Sequence, residues 1–469
     1  MTRTIMDSIK PFYDHHPKAV MFASAATLRI LLVLLFPALP DILTARAEIS
    51  TPTNSFKRLQ EGLFLYERGV DPYDGGLFHQ APLLLPIFGA LPGIRTWLGT
   101  VASVVIFTAL DIGCLEFLWT IVESGAAATS RRYVSPRKKQ SWSPRSVAAV
   151  YAFNPYTLLN CLARSTSTFT TFFLLLSIAK ACRHDTVSRL QSAFALAIAS
   201  YISLWPVLLT TPIALLAYDN AVKQPSISDV SATPGDKVTD FRDSGKTKTL
   251  QTSALKLSSQ YIATLTVSIA TLFSVSRALL PSWNFLSSVY LTPLTLPDLT
   301  PNVGLWWYFF IELFDPFRSF FLGVFWLHIA SYSVPLSLRL KDQPIAAAVA
   351  MWGVVVVFQP YANVGDAGAW LSSLCLLNHT FELTSTHRYP FLAISVLLYT
   401  TLLGPAFHYL WIYAGSGNAN FFYAITLVWN LGLMILLTDA VWSVLRDEWE
   451  DERQRLFGQD VRGKEVRQI

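Results

Sequence analysis

The eleven residues Ala81-Pro82-Leu83-Leu84-Leu85-Pro86-Ile87-Phe88-Gly89-Ala90-Leu91, followed by Pro92, decide how the rest of this chain is threaded. They are apolar throughout, yet a membrane-spanning helix needs about 20 such residues, and the prolines at 82, 86 and 92 interrupt a helical ladder. The stretch is read as a re-entrant or interfacial helix. As a span it would carry the clusters Arg131-Arg132, Arg137-Lys138-Lys139 and Lys246 to Lys256 to the side opposite the basic N-terminus (Arg3, Lys10, Lys18). Positive-inside bias opposes that arrangement.

On either side the sequence is dominated by longer apolar runs. Of 469 residues 52% are apolar and 14% charged, against about 25% charged in ordinary soluble domains. The class this implies is an all-α polytopic membrane protein. The expected spans cover about 20–39, 97–122, 146–163, 166–183, 190–203, 205–218, 257–280, 317–337, 343–359, 362–378, 388–406 and 419–445, about twelve transmembrane helices in all. Pro206 and Pro212 make 190–218 a bent hairpin rather than one straight helix. The loops 281–303 and 407–418 contain no Lys or Arg and read as lumenal, whereas Lys180, Arg183, Arg189, Arg339, Lys341 and Arg388 fall on the other side. Both termini are expected in the cytosol.

The organisation that follows is an N-terminal membrane bundle over 1–218 with a lumenal loop at 41–80, a disordered cytosolic linker at 219–256, a C-terminal bundle over 257–445 and a charged cytosolic tail at 446–469. In the first loop, Phe56, Leu59, Leu63 and Tyr66 recur at helical spacing ahead of the turn Asp71-Pro72-Tyr73-Asp74-Gly75-Gly76. The net charge of +5, spread over many short loops, gives no footprint for nucleic acid. Cys114, Cys161, Cys182 and Cys375 lie in or beside apolar runs without metal or disulfide spacing and read as core residues. The sequon Asn378-His379-Thr380 falls on the cytosolic side and is expected to be unmodified.

An ionisable side chain inside a span costs at least about 2.5–3.5 kcal/mol and needs a partner or a purpose. Asp111 and Glu116 share one span but point about 140° apart on a helix of 3.6 residues per turn, so they are not an acid–base pair; separate bonds to neighbouring helices are expected, as for Asp366 and Asp439. Arg164, at a lumenal helix end, is placed to snorkel or to meet a lipid phosphate. No histidine cluster, nucleophile elbow or phosphate-cradling glycine loop is visible. The densest polar and aromatic signals are Pro297 to Phe310, running on to Glu312 and Asp315, and Leu410 to Ala424. An aromatic belt accounts for the rings. It does not account for the turn Gly415-Ser416-Gly417 holding Asn418 and Asn420 beside them, a composition suited to a phosphorylated glycolipid head.

At these residues the chain resembles the PIG-U family, the multi-spanning subunit of the glycosylphosphatidylinositol (GPI) transamidase. The likeness runs through Ser50-Thr51-Pro52, Lys57-Arg58, Glu61-Gly62, Gly69-Val70-Asp71-Pro72-Tyr73, His79-Gln80-Ala81-Pro82-Leu83, Phe153-Asn154-Pro155-Tyr156-Thr157 and Pro297 to Phe310, and is strongest over Leu410 to Leu427. The resemblance implies a GT-C-like bundle in the endoplasmic-reticulum membrane, needing no cofactor. It also implies a non-catalytic scaffold that binds GPI and presents it for attachment to proprotein C-termini. The partners implied are the cysteine protease PIG-K, PIG-T, PIG-S, the GPI anchor attachment protein and membrane lipids. GPI contacts are assigned to Asn418 and Asn420, with Tyr413 and Phe422 as walls.

Gly69 to Leu84 also looks like the first lumenal loop of GT-C mannosyltransferases that use a lipid-linked sugar donor, which is the alternative function. Those enzymes carry an Asp-x-Asp pair where this chain has Thr53-Asn54-Ser55. Without carboxylates there, neither metal-assisted donor activation nor deprotonation of a sugar hydroxyl has an agent. A transporter, the third reading, would show inverted repeats, and none is visible.

Overall fold

Six helices among the described residues are long and apolar enough to cross a membrane: Pro17–Leu35, Trp97–Glu123, Lys256–Leu279, Asp315–Arg339, Phe391–Ile412 and Ala419–Phe457. The computed structural model describes residues 16–93, 96–222, 244–384 and 389–458. Those six helices coincide with six of the twelve expected spans. The other six expected spans fall on shorter helices. The run 146–163 divides into Pro144–Ala152 and Pro155–Leu162, because Asn154 leaves the helix to cap the next one and Pro155 takes its first position. The runs 166–183 and 343–359 become the 15-residue helices Ser167–Ala181 and Pro344–Phe358. The 190–218 stretch breaks, as its prolines require, into Thr186–Ile202, a 3-10 turn at Trp205–Leu209 and Thr210–Val222. The 362–378 run shrinks to Val364–Leu374 with a 3-10 continuation. Among the described residues, six of the twelve expected spans are thus single membrane-length helices and the other six are shorter or interrupted.

Pro344–Phe358 lies at the centre and is buried on every side, as a helix apolar all round must be. Two glycine-mediated approaches hold its neighbours. A Cβ on Gly353 would lie 2.6 Å from the Trp370 ring, and one on Gly368 2.5 Å from the Tyr156 Cβ, so both sites admit only hydrogen. Deeper toward the first loop sits a second cluster built on Phe56, Leu59, Leu63, Phe88, Phe107 and Phe169. The helix Phe56–Glu67 forms with the expected apolar spacing and buries Phe56, Leu59 and Leu63. The decisive stretch Ala81–Leu91 supplies only the six-residue helix Leu84–Gly89, whose Leu84, Leu85 and Phe88 turn inward onto that cluster. It crosses nothing.

The first loop is wound into the bundle by its backbone. Asn54 O accepts from Thr166 N at 3.0 Å, Glu48 O accepts from Val364 N at 2.9 Å, and Gln80 Nε2 donates to Ser55 O at 2.7 Å. Arg164 does not reach outward to a lipid phosphate. Its side chain is 2% exposed, bonded to Asp41 at 2.6 Å and laid over the Phe56 ring at 4.3 Å. The outward group of that pair is Asp41, 81% exposed.

The expected linker is narrower than 219–256, since Thr210–Val222 and Ser244–Leu279 run into it from both ends; its centre, 223–243, lies outside the described residues, as do Arg3 and Lys10 of the N-terminus, Arg388 and 459–469. The last helix continues into the charged tail as far as Phe457, where Gly458 closes it at φ 61°. There Asp447 accepts from Tyr133 and Ser135 at 2.6 Å and from Arg137 at 2.8 Å, while Arg137 also reaches Glu450 at 2.6 Å. One basic cluster is thereby tied to the tail's acids. Asn378 is buried, its Oδ1 accepting from Trp142 N at 2.7 Å and its Nδ2 donating to Cys375 O at 2.5 Å. All four cysteines are buried thiols.

Candidate functional site

The two aromatic motifs meet. The turn after Tyr389–Ile412 is closed by Ala414 N donating to Tyr409 O at 3.0 Å, and by Ser416 N and Gly417 N donating to Leu410 O at 3.0 and 3.1 Å. Gly415 takes φ 62°, a left-handed geometry that glycine adopts at low cost. This brings the start of Ala419–Phe457 beside Trp306–Glu312. Trp307 stacks on Trp411 with centroids 6.0 Å apart and packs on Phe422 and Tyr423, Tyr423 Oη donates to Leu305 O at 2.9 Å, and Asn430 Nδ2 donates to Val303 O at 2.8 Å.

Asn418 is the N-cap of the last helix, its Oδ1 accepting from Phe421 N at 3.4 Å. Asn420 Oδ1 accepts from Tyr308 Oη. Each amide therefore has one structural bond, both side chains stand exposed, and both keep their Nδ2 donors for a ligand. Tyr413 is 62% exposed and stacks on Tyr409 at 5.7 Å, while Phe422 is buried. The four expected site residues thus separate into a polar, accessible rim and one inward wall.

The wall belongs to a cleft of about 190 Å³ whose accessible lining is almost wholly apolar. Phe422, Ile425, Thr426 and Trp429 form one side, and their i, i+3, i+4, i+7 spacing is one helical face. Thr400, Thr401, Gly404 and Pro405 form the other. Pro405 sits inside its helix and has no N–H for the carbonyl four residues back; beside it Thr401 Oγ1 and Tyr156 Oη lie 2.6 Å apart and tie this helix to Pro155–Leu162. At the edge stand Arg46 and Glu48, 3.4 Å apart. Glu48 Oε1 is buried without a hydrogen-bond partner.

An apolar slot of this size takes alkyl chain, while the ion pair in its lining and the two exposed amides at the start of the helix that walls it can take a polar head, so the arrangement suits an amphiphile. Among the described residues no group of three His, Cys, Asp or Glu side chains is placed to hold a metal ion. Sequence reasoning reached Phe422 but missed Arg46, Thr401, Ile425 and Trp429. The heptad-like continuation of Phe422 through Trp429 was the available signal; Arg46 had none.

Comparison with known proteins gives a consistent result. The family described as GPI transamidase subunit PIG-U matches residues 23–429. The chain is 31% identical to the GPI-anchor transamidase component PIGU of Homo sapiens over 92% of its own length and 94% of that protein. It is 32% identical to the PIGU component of Cricetulus griseus over the same shares. It is also 32% identical to the GPI transamidase component GAB1 of Saccharomyces cerevisiae, over 90% of this chain and 93% of that one.

Proposed function

The chain belongs to the PIG-U family of GPI transamidase subunits, and from that premise we propose that it is the complex's non-catalytic, GPI-presenting subunit in the endoplasmic-reticulum membrane. The cleft beside Phe422 receives the alkyl chains of GPI. Asn418 and Asn420 donate to its phosphorylated head, with Tyr413 as an outer wall. The protease PIG-K carries the chemistry, and PIG-T, PIG-S and the GPI anchor attachment protein complete the assembly. The observation that supports this reading most is that one helix start carries both the exposed amides and Phe422, which lines an apolar cleft edged by the Arg46–Glu48 pair.

Asn418 caps its helix, so alanine there would cost about 1 kcal/mol of helix stability besides any ligand contact. The informative variant is Asn418→Ser combined with Asn420→Ala, because serine keeps the capping oxygen and loses the amide donors. Losing hydrogen bonds to a charged head should weaken binding about tenfold to a hundredfold. Native mass spectrometry of the purified complex is expected to show normal subunit composition with GPI occupancy largely gone. Unchanged occupancy would leave the two amides as helix-start structure and remove them from the site.

A further inference from the structure

A second chamber, on the other side of the Glu48–Val364 backbone bond, is not used by the glycolipid reading and does not rest on it. Its inner lobe, about 30 Å³, is polar and lined by Thr53, Thr170, Ser203, Gln359, Asn363 and Asp366. The outer lobe, about 40 Å³, shares Thr53, Ser203, Gln359 and the rings of Trp205 and Tyr361 with it and adds Trp326 and His79. Each roughly 10–15 Å³ of such space holds one water, so the two lobes together displace on the order of 150 Å³ of liquid, the bulk of one six-membered ring.

Two features mark this space as built for a ligand. The first is an incomplete carboxylate. Asp366, 4% exposed, accepts on Oδ2 from Asn363 Nδ2 at 2.8 Å and Gln359 Nε2 at 3.1 Å, while Oδ1 is buried with no partner at hydrogen-bond distance, its polar neighbour Ser167 being bonded to Asn160 instead. Buried polar atoms in native proteins are almost always satisfied. The second is backbone: residues 203–204, between Thr186–Ile202 and the 3-10 turn, and residues 359–363, between Pro344–Phe358 and Val364–Leu374, are both non-helical where they face the chamber. Irregular backbone inside an apolar bundle is tolerated where it lines a polar cavity.

The ligand's charge follows from the ends of the chamber. Asp366 at the bottom repels an anion, while at the mouth Arg58 is neutralised by Asp298 at 2.8 Å and burial holds His79, which lines the outer lobe, toward its neutral form, so nothing there calls for a charged ligand. A lining of one carboxylate acceptor, two carboxamides and several hydroxyls matches groups that both donate and accept. The flat apolar walls match a ring with a C–H face. We propose that this chamber binds a single neutral polyhydroxy ring, a hexopyranose or cyclitol, with Asp366 Oδ1 accepting from one of its hydroxyls.

The test is saturation-transfer NMR on the intact complex in lipid nanodiscs, free of sugar detergents, with methyl α-mannopyranoside and myo-inositol at millimolar concentration. Wild type should transfer saturation to at least one of them. Asp366→Asn should weaken that transfer about tenfold, since an amide nitrogen turned into the chamber replaces an acceptor with a donor. Thr170→Val, isosteric and lacking only the hydroxyl, should weaken it as well and serves if Asp366→Asn fails to assemble. Octyl mannoside binding more tightly than the methyl glycoside would identify a lipid-borne ring, and equal binding a free sugar. No transfer to either ring, transfer unchanged in both variants, or transfer to ethanolamine alone would overturn the assignment.

Discussion

Arg29 is fully buried, and Asp111 supplies its countercharge: Nε donates to Asp111 Oδ2 at 2.6 Å, Tyr151 Oη donates to Oδ1 at 2.8 Å, and the guanidinium also reaches Ala152 O at 3.2 Å. Glu116, five residues on, binds Lys18 instead, at 2.8 Å. The 140° separation of the two acids was legible from helix geometry, whereas Arg29, 82 residues away in the chain, was not. Removing one partner of a buried pair leaves an uncompensated charge and costs about 3–5 kcal/mol, while replacing both with apolar side chains of similar volume is often neutral. Asp111→Leu should therefore abolish recovery of the folded complex. Arg29→Met combined with Asp111→Leu should restore it, as read by size-exclusion yield and thermal unfolding. Equal loss in the single and double variants would show that the pair has a role beyond mutual neutralisation.

The contact between the first loop and 281–303 is the element whose behaviour depends on pH. His79 Nδ1 lies 2.9 Å from Ser288 O, and Arg58 pairs with Asp298 at 2.8 Å. Burial pulls the His79 imidazole below its ordinary value, outweighing the Ser288 carbonyl's opposing pull, with Arg58 adding to the depression. Burial alone would raise the Asp298 carboxyl, but the Thr300 hydroxyl and amide and the Arg58 guanidinium together hold it below 3.8. A depressed folded-state histidine stabilises fully above its unfolded value of about 6.5 and loses that contribution as pH falls through it, while Asp298 stays ionised across that window. Hydrogen exchange at 70–80, corrected for intrinsic rates, should show protection falling between pH 7 and pH 5. His79→Asn keeps a donor near the Nδ1 position and should flatten the profile; a slope persisting in that variant would assign it to another group. The helix Phe56–Glu67 and its buried face were readable from periodicity. The docking of Leu84–Gly89 beneath it was not, because Phe88, Phe107 and Phe169 come together only in the tertiary structure.

At the scale of the whole molecule, hydropathy finds apolar runs but not the breaks inside them. It registers runs such as 146–163 and 362–378 without the breaks at Asn154-Pro155 and after Leu374, so of the twelve expected spans six are single membrane-length helices among the described residues and six fall on shorter, interrupted ones. The candidate site was legible where its residues are contiguous, at 413–422, and hidden where the bundle assembles it from Arg46, Thr401 and Trp429. The central claim is that this assembled cleft, and not the outer apolar surface, holds the lipid. A GPI analogue carrying a diazirine in its alkyl chain, photolysed in the purified complex and mapped by peptide mass spectrometry, tests it directly. Cross-links should concentrate on 400–405 and 422–429. Labelling of the exposed Phe391, Leu398 and Leu402, with none in those two segments, would contradict it.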